Sequence, residues 1–442
     1  MLFVRMLESM ENGHVLADQA TFKNYLFFWS GQLVSLLGSS IVQFAIIWWI
    51  TVETGSALYL ALASFLGLAP LVMVGPFAGV YADRWNRKKL VFVADLMQAL
   101  AIVILIVFYW IGNVVIWQVL VVLTVRAVFQ AFHEPTVSAI TPSMVPKDKL
   151  SRMNGLTYLF SGAVRLVGPV SAAVLLQFWQ IQQILWIDVL TFLAAMIPLF
   201  LIRIPSVRAS AKNNSFKEEF KQGFSFVRRA RGMLTLAILA TSMNFLITPL
   251  STLLPYFVKF DHFGGAAELA LVMAFFEGGI LGGGLFMSLK KGFEKKIAIS
   301  IVSLIIAFSG YALIALTPSG MFWFMALSAL VFAVCLPVAN VLVQTIMQTA
   351  VPLAMQGRVN SVTMALSMAA QPAGTLISGA IVQFTMTSQL FLGCSVAGIA
   401  IAVASWFLTD IRYLETLAAP IEPCPRPSTR ECTDHQNTGA KV

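Results

Sequence analysis

The sequence contains twelve long, mainly apolar runs, and each is separated from the next by a shorter polar segment. Because the hydrocarbon core of a bilayer is about 30 Å thick, a crossing helix needs about 20 such residues. Charged residues make up 11% of the chain and hydrophobic residues 58%, whereas soluble domains carry about 25% charged residues. We therefore expect an all-α integral membrane protein with twelve transmembrane helices. The predicted spans are 25–51, 57–82, 89–111, 114–141, 152–178, 181–203, 231–258, 267–289, 296–316, 320–349, 359–384 and 388–410.

The distribution of Lys and Arg between the loops predicts the orientation of these spans. The loops after spans 2, 4 and 8 are rich in Lys and Arg, whereas Lys259 is the single basic residue in the opposite connections. Basic loops remain on the cytoplasmic side, so we expect a plasma-membrane protein with both termini in the cytoplasm. The net charge of +9 follows from this topology, and we expect no nucleic-acid partner.

The chain divides into two helical halves joined by a polar linker. In this linker, Phe216, Phe220, Phe224 and Val227 recur at helical spacing, which predicts an amphipathic helix on the inner membrane surface. The alternative is a merely solvated linker. The predicted organisation is a cytoplasmic segment 1–24, a six-helix bundle 25–203, the linker 204–230, a second six-helix bundle 231–411 and a disordered cytoplasmic tail 412–442.

The two halves also resemble each other in sequence. The segment VPKDKLSRMNG begins at Val145 and VPLAMQGRVNS begins at Val351, so that Pro, Arg and Asn recur at one common offset. At nearly the same offset, GVYADRWNRKK from Gly79 corresponds to GLFMSLKKGFEKK from Gly284. Two matches at a shared spacing indicate a six-plus-six repeat of two pseudo-symmetric bundles. Secondary transporters are built from such halves and bind their substrates near the middle of the membrane.

Ionisable residues inside the predicted spans mark candidate sites, because each costs about 2.5–3.5 kcal/mol on insertion scales. In span 4, Arg126, Gln130, His133 and Glu134 share one helix face, which indicates contact with water or with polar helices. A fixed internal ion pair without a transport role is the alternative. Asp95 in span 3 lies close to the inner side. We expect His133 to be packed or water-bonded rather than catalytic or metal-binding.

Four residues are candidates for proton coupling, namely Glu134, Glu277, Arg126 and Asp188. A carboxyl group in apolar surroundings favours its protonated form, as a proton carrier requires. A neighbouring arginine favours the ionised form, so Glu134 stays ionised if it pairs with Arg126 or Arg165. Glu134 and Glu277 are comparable candidates, and Asp188 ranks below them.

Uncharged polar side chains recur on spans 1, 7, 10 and 11, and aromatic residues lie near them. Spans 1, 4, 7 and 10 occupy equivalent places in a three-plus-three repeat, so their shared polarity predicts a common central cavity. The alternative for any one of these polar helix faces is that it forms interhelical hydrogen bonds and lines no cavity. Large apolar walls with few polar anchors suit an amphiphilic substrate. The cavity candidates are Gln32, Gln43, Trp48, Gln130, His133, Arg165, Asn244, Asn340, Gln344 and Gln371.

The loop between spans 2 and 3 resembles the signature of the major facilitator superfamily, Gly-x-x-x-Asp-Arg-x-Gly-Arg-Lys. The residues that match are Gly79, Asp83, Arg84, Arg87 and Lys88, while Asn86 stands where Gly is usual. The resemblance implies a gating role for this loop. A helix N-terminus carries about half a positive charge, so Asp83 docked on the start of span 11 would latch the two halves closed inside. Topology alone is the alternative, and it explains the cations but not Asp83.

Two further motifs extend the resemblance over about residues 21–412. The stretch GLTYLFSGAVRLVGPVSAA in span 5 is similar to the antiporter hinge motif through Gly155, Gly168 and Pro169, with other glycines of that motif replaced. Arg126 matches the span 4 arginine that the superfamily associates with proton coupling. The stretches FFWSGQLVSLLGSSIVQFAIIWWITVETGSAL and AFHEPTVSAITPSMVP resemble more narrowly the macrolide-efflux branch of the drug exporters.

The resemblance implies a secondary active exporter that exchanges protons for amphiphilic, macrolide-like drugs by alternating access. The alternatives are cation symport or uptake, export of a natural amphiphile such as a siderophore or lysophospholipid, and a non-transporting scaffold or sensor. No Gly-x-x-x-x-Gly-Lys-Ser/Thr loop occurs, so we expect no built-in ATPase. We also expect no enzymatic activity, no cofactor and no metal. The expected partners are membrane lipids, an amphiphilic small molecule and protons, with the chain acting as a monomer.

Overall fold

The structure is a computed structural model that describes residues 19–112, 114–202, 204, 216–230, 232–290 and 292–414, without some side chains such as those of Asp83 and Arg84. Over these residues the chain forms thirteen α-helices and no β-strand. The first seven are α1 Gln19–Thr54, α2 Ala57–Arg84, α3 Arg87–Ile111, α4 Ile116–Met144, α5 Lys147–Phe178, α6 Ile181–Leu201 and α7 Phe216–Arg229. The others are α8 Met233–Tyr256, α9 Ala266–Leu289, α10 Lys296–Ala315, α11 Phe322–Ala350, α12 Leu353–Ile381 and α13 Thr387–Leu408. A π-helical turn, Phe257–Asp261, continues α8.

The twelve predicted spans correspond to α1–α6 and α8–α13, which confirms the all-α fold. Eleven of these helices are long and apolar enough to cross a membrane by composition alone, and α12 is not among them. The polar residues of α12 explain the difference, because several face other helices. Thr375 and Ser378 are almost fully buried, and Gly374 packs against Thr248 of α8. Polar side chains that face neighbouring helices are not in contact with lipid, so a helix can carry them within the membrane.

The sequence repeat begins the same element in each half. Pro146 precedes α5 and Pro352 precedes α12, and their backbone angles are nearly identical, with φ/ψ of −55°/143° and −53°/140°. The fixed φ of proline suits the start of a helix, where its missing N–H leaves no hydrogen bond unmade. The preceding residues, Val145 and Val351, are both buried. The common offset seen in the sequence therefore reflects two equivalent helix junctions.

The helices of each half pack in the same pattern. In the first half, α1 contacts α5 and α6, α4 contacts α2 and α3, and α3 contacts α6. The second half repeats these contacts with α8 against α12 and α13, α11 against α9 and α10, and α10 against α13. The halves meet mainly through α2 with α12 and α5 with α9, which are equivalent pairs under the repeat. The packing is that of two pseudo-symmetric bundles.

Small residues allow several of these helices to approach closely. A Cβ atom on Gly283 of α9 would clash with the backbone carbonyl of Val334 in α11. A Cβ atom on Gly379 of α12 would clash with Ala61 of α2, at the end of the molecule that carries the α1–α2 turn. At the same end, the Lys259 ammonium lies 5.9 Å from the centre of the Trp48 ring. The two halves are therefore in contact at this end.

The linker contains the predicted helix as α7, which packs on α12 and α8. Val227 is fully buried, whereas Phe224 is exposed. The guanidinium of Arg358 donates a hydrogen bond from Nη1 to Oε1 of Gln222 at 2.6 Å. A Cβ atom on Gly223 would lie 2.5 Å from the carbonyl oxygen of Arg358, so α7 sits close to the start of α12. The helix is thus attached to the second half.

Candidate functional site

A polar cavity of about 480 Å³ lies among α1, α2, α3, α4, α6 and α8, and we call it the polar chamber. Most of its wall belongs to the first half, while Ser251 and Thr252 come from α8 of the second. Asp95 of α3 also lines it. The predicted site residues that meet here are Gln32, Gln43, Arg126, Gln130, His133 and Asp188. The polar face of α4 therefore points into the protein.

A second cavity of about 380 Å³, the apolar chamber, lies between the two halves. It shares Gln43, Ser64 and Thr252 with the polar chamber, so the two cavities adjoin. Its walls include many apolar side chains from α1, α8, α9, α10 and α11, and its charged lining residues are Arg165 and Glu277. These two interact electrostatically but form no direct ion pair in the described part of the chain. Large apolar walls with two charged groups suit an amphiphilic ligand.

Arg126 and Asp188 form a buried ion pair in the polar chamber. Nη2 of Arg126 lies 3.0 Å from Oδ2 of Asp188, and the side chains are 10% and 6% exposed. The hydroxyl of Ser39 donates a hydrogen bond of 2.6 Å to the other carboxylate oxygen, Oδ1. Nη1 of Arg126 is buried without a partner. Because a buried charge is costly unless it is paired, this contact holds α1, α4 and α6 together.

A second contact with a carboxylate lies on the same face of α4. Nε2 of His133 is 3.1 Å from Oδ1 of Asp95 and 3.0 Å from Oε1 of Gln32. Oδ2 of Asp95 and Nε2 of Gln32 are buried without partners. The sequence places Asp95 near the inner side without indicating a partner, and it predicts a packed or water-bonded His133. The structure places His133 against a carboxylate instead.

The depth of each residue along its helix was the signal that could have found both pairs. Asp95 lies 8 residues after the start of α3 and His133 lies 11 residues before the end of α4, at the same end of the bundle. At 1.5 Å per residue these depths are about 12 and 17 Å. Asp188 lies 7 residues after the start of α6 and Arg126 lies 10 after the start of α4, again at one end. Matching depths bring such side chains within reach.

Glu134 lies outside both chambers. Its side chain is exposed and accepts a hydrogen bond of 3.3 Å from Nε2 of Gln130 one turn earlier. Arg126, which the sequence allowed as its partner, pairs with Asp188 instead. The two carboxylates that the prediction ranked together therefore differ in position, since Glu277 lines the apolar chamber and Glu134 lines neither cavity.

Several predicted cavity residues lie elsewhere. Trp48 lines a separate cavity of about 560 Å³ at the end that carries the α1–α2 turn. Gln344 lines a small cavity of about 220 Å³ at the junction of α11 and α12, and Asn340 is exposed. Asn244 and Gln371 bond to each other, since Nε2 of Gln371 donates to Oδ1 of Asn244 at 3.2 Å. That contact joins α8 to α12 within the second half.

The predicted gating loop joins α2 to α3, and two of its cations bind within the first half. Nη1 of Arg87 donates to the carbonyl of Ala139 in α4 at 2.9 Å. Nζ of Lys88 donates to the carbonyls of Phe200 and Ile202 at 3.0 and 2.8 Å, which stabilises the end of α6. Asn86 caps α3 by accepting a hydrogen bond from the backbone N–H of Lys89 at 3.1 Å. The rest of the predicted motif, with Gly79, Asp83 and Arg84, lies outside the described side chains, so the latch stays a prediction.

The predicted hinge motif in α5 contains one close helix contact. A Cβ atom on Gly168 would clash with the side chain of Ser40 in α1, whereas Gly155 has open space at its Cβ position. Pro169 is buried and lines the apolar chamber. Gly168 thus permits the approach of α5 to α1 beside the two chambers, and Gly155 has no packing role in this arrangement.

Comparison with known proteins agrees with this architecture. The family model described as Major Facilitator Superfamily matches residues 28–375. The chain belongs to the Major Facilitator Superfamily. It is 30% identical over 390 residues to Macrolide efflux protein A of Streptococcus pyogenes, covering 88% of this chain and 96% of that protein.

Two further comparisons agree with this result, one in sequence and one in fold alone. The chain is 25% identical to Multidrug efflux pump Tap of Mycolicibacterium fortuitum, covering 87% of this chain and 95% of that protein. The crystal structure of the nucleoside transporter NupG is similar with a TM-score of 0.69 at 15% identity, covering 87% of this chain and 99% of that one. These findings confirm the predicted superfamily and a multi-pass membrane transporter rather than an enzyme.

Proposed function

We propose that this superfamily member is a secondary active exporter that exchanges protons for amphiphilic drugs, with macrolides as the first candidates. The observation that carries the proposal is the pair of adjoining chambers, one walled by apolar side chains from both halves and one by buried charged groups. The similarity to two efflux proteins along nearly the whole chain supports the substrate class. Both termini are proposed to be cytoplasmic, which would make the α2–α3 loop cytoplasmic as well.

Within this proposal, Glu277 carries a coupling proton in the apolar chamber. Its carboxyl group and Arg165 line the cavity from α9 and α5, which belong to different halves. A carboxylate in such a site is costly, so the Glu277 side chain favours binding a proton or a cationic substrate that neutralises its charge. Arg126 and Asp188 are proposed to hold the polar chamber together, because each already neutralises the other. Glu134 is a weaker candidate for proton transfer, since it lies outside both chambers.

The experiment is transport by inverted membrane vesicles with an acidic interior and radiolabelled erythromycin outside. Vesicles with the wild-type protein accumulate the drug when the proton gradient is imposed. Accumulation stops when an uncoupler collapses the gradient. Glu277→Gln weakens the dependence on the gradient, because the amide cannot carry the proton. Glu134→Gln is the matched control, and its gradient dependence stays at the wild-type level.

Three outcomes would count against parts of this proposal. Gradient-independent accumulation by the wild type would refute proton coupling. Loss of coupling in the Glu134 variant with coupling intact in the Glu277 variant would exchange their roles. An absence of erythromycin accumulation by a well-expressed wild type would refute the macrolide assignment and direct the search to natural amphiphiles such as siderophores or lysophospholipids.

A further inference from the structure

We infer that His133 and Asp95 form a second proton-binding site in the polar chamber, separate from Glu277. The inference rests on the proton coupling proposed above and adds a site that this coupling did not use. The pair is contributed by α4 and α3, and Gln32 of α1 completes it. Its proton would come from the aqueous phase on one side of the membrane and leave to the other.

The geometry fixes where the existing proton of His133 lies. Nε2 faces two oxygen atoms, Oδ1 of Asp95 at 3.1 Å and Oε1 of Gln32 at 3.0 Å. Oxygen atoms of a carboxylate and an amide only accept hydrogen bonds, so Nε2 must carry the hydrogen. Nδ1 has no hydrogen-bond partner among the described residues. A neutral ring in this tautomer has its lone pair on Nδ1, which is free to bind a proton.

Asp95 offers a second position for the same proton. The residue is 8% exposed and lines the chamber, yet its Oδ2 atom has no partner. A buried carboxylate oxygen without a donor costs free energy that a proton can relieve. The bound proton therefore has two alternative positions in the pair, Nδ1 of His133 and Oδ2 of Asp95.

The charges around the pair favour the uptake of a single proton. Arg126 and Asp188 neutralise each other across 3.0 Å in the same chamber. The other polar lining residues from α1, α2, α3, α4 and α8 are uncharged Ser, Thr and Gln side chains. Asp95 is thus left as the excess negative charge while His133 is neutral. One proton brings the net charge of the chamber to zero, which a low-dielectric interior favours.

Three other ionisable groups lie beside the pair or in the adjoining chamber. Glu134 follows His133 on α4 and interacts with it electrostatically, but its exposed side chain is bonded to Gln130. Arg165 and Glu277 line the adjoining apolar chamber and not the polar chamber. The apolar chamber therefore contains one cation and one anion of its own, so its net charge is zero without the His133–Asp95 pair.

The test measures protons moved per drug molecule by the full-length protein in liposomes, with radiolabelled erythromycin and a trapped pH-sensitive dye. His133→Gln keeps a hydrogen-bonding side chain but cannot become charged, so the ratio falls by about one proton per drug molecule. Asp95→Asn lowers the ratio similarly. Thr124→Ser changes an uncharged residue of the same helix that lines neither chamber, and its ratio equals that of the wild type. The ratio separates coupling from a general loss of transport, in which protons and drug fall together.

Proton release on adding erythromycin to the purified proteins in weakly buffered detergent solution gives a second readout that needs no turnover. The site is supported if the wild type releases protons and if His133→Gln and Asp95→Asn each release fewer. The inference would be overturned if both variants moved as many protons per drug molecule as the wild type and released as many protons on drug binding. The result for Glu277→Gln is scored separately, so a failed assignment of Glu277 leaves this inference standing. A wild type that moves no protons with the drug would refute the coupling and this site together.

Discussion

The buried ion pair between Arg126 and Asp188 should contribute measurably to the stability of the protein. At 3.0 Å and an effective dielectric constant of about 20, the attraction between the two charges is about 5.5 kcal/mol. Removing one partner of a buried pair typically costs about 3–5 kcal/mol, because the other charge is left uncompensated. Since the pair borders a chamber that admits water, we expect Asp188→Leu to destabilise the protein by about 3 kcal/mol.

The structure also predicts an asymmetry between the two single variants. In Arg126→Met, the Asp188 carboxylate keeps its hydrogen bond from Ser39 at 2.6 Å. In Asp188→Leu, Arg126 keeps no hydrogen bond among the described residues, and its Nη1 is already without a partner. Arg126→Met is therefore the milder change. The double variant removes both charges and regains stability relative to Asp188→Leu, because apolar replacement of a whole buried pair is often neutral.

The assay is thermal unfolding of the purified proteins in one detergent, with the midpoints of the four proteins compared. We expect the unfolding midpoint to be highest for the wild type, lower for Arg126→Met and lowest for Asp188→Leu. The midpoint of the double variant lies above that of Asp188→Leu. If the two single effects simply add in the double variant, the side chains are not coupled. That result would refute the ion pair as a stabilising contact between α4 and α6.

Two other predictions concern packing and gating. Gly283→Ala places a Cβ atom against the Val334 carbonyl and destabilises the protein by about 1–3 kcal/mol, whereas Gly282→Ala has open space and does not. Equal unfolding midpoints for these two variants would contradict the close α9–α11 contact. Asp83→Asn weakens the proposed latch by about 0.3–1 kcal/mol, so vesicle transport slows about two- to fivefold with drug binding unchanged. An unaltered rate would leave topology as the role of that loop.

The sequence determined the number and type of helices because a bilayer imposes a minimum length of apolar residues on every crossing segment. The same constraint made each intramembrane charge conspicuous, and Arg126, Asp188 and Glu277 all line the two chambers. The proline at the start of α5 and α12 likewise fixed two equivalent junctions. These features depend on local rules of length, charge and backbone geometry, which can be read without knowing the neighbours of a helix.

The tertiary structure decided which charges meet and which polar faces reach a cavity. A stripe of polar residues shows one face of a helix but not what lies opposite it, so Asn340 and Gln344 matched the expected pattern and yet lie away from the chambers. The partners of Arg126 and His133 come from α6 and α3, far along the chain. Such pairs depend on which helices are neighbours and on how each helix is rotated. The depth of a residue can be counted along its own helix, whereas the neighbours and the rotation are fixed only by packing.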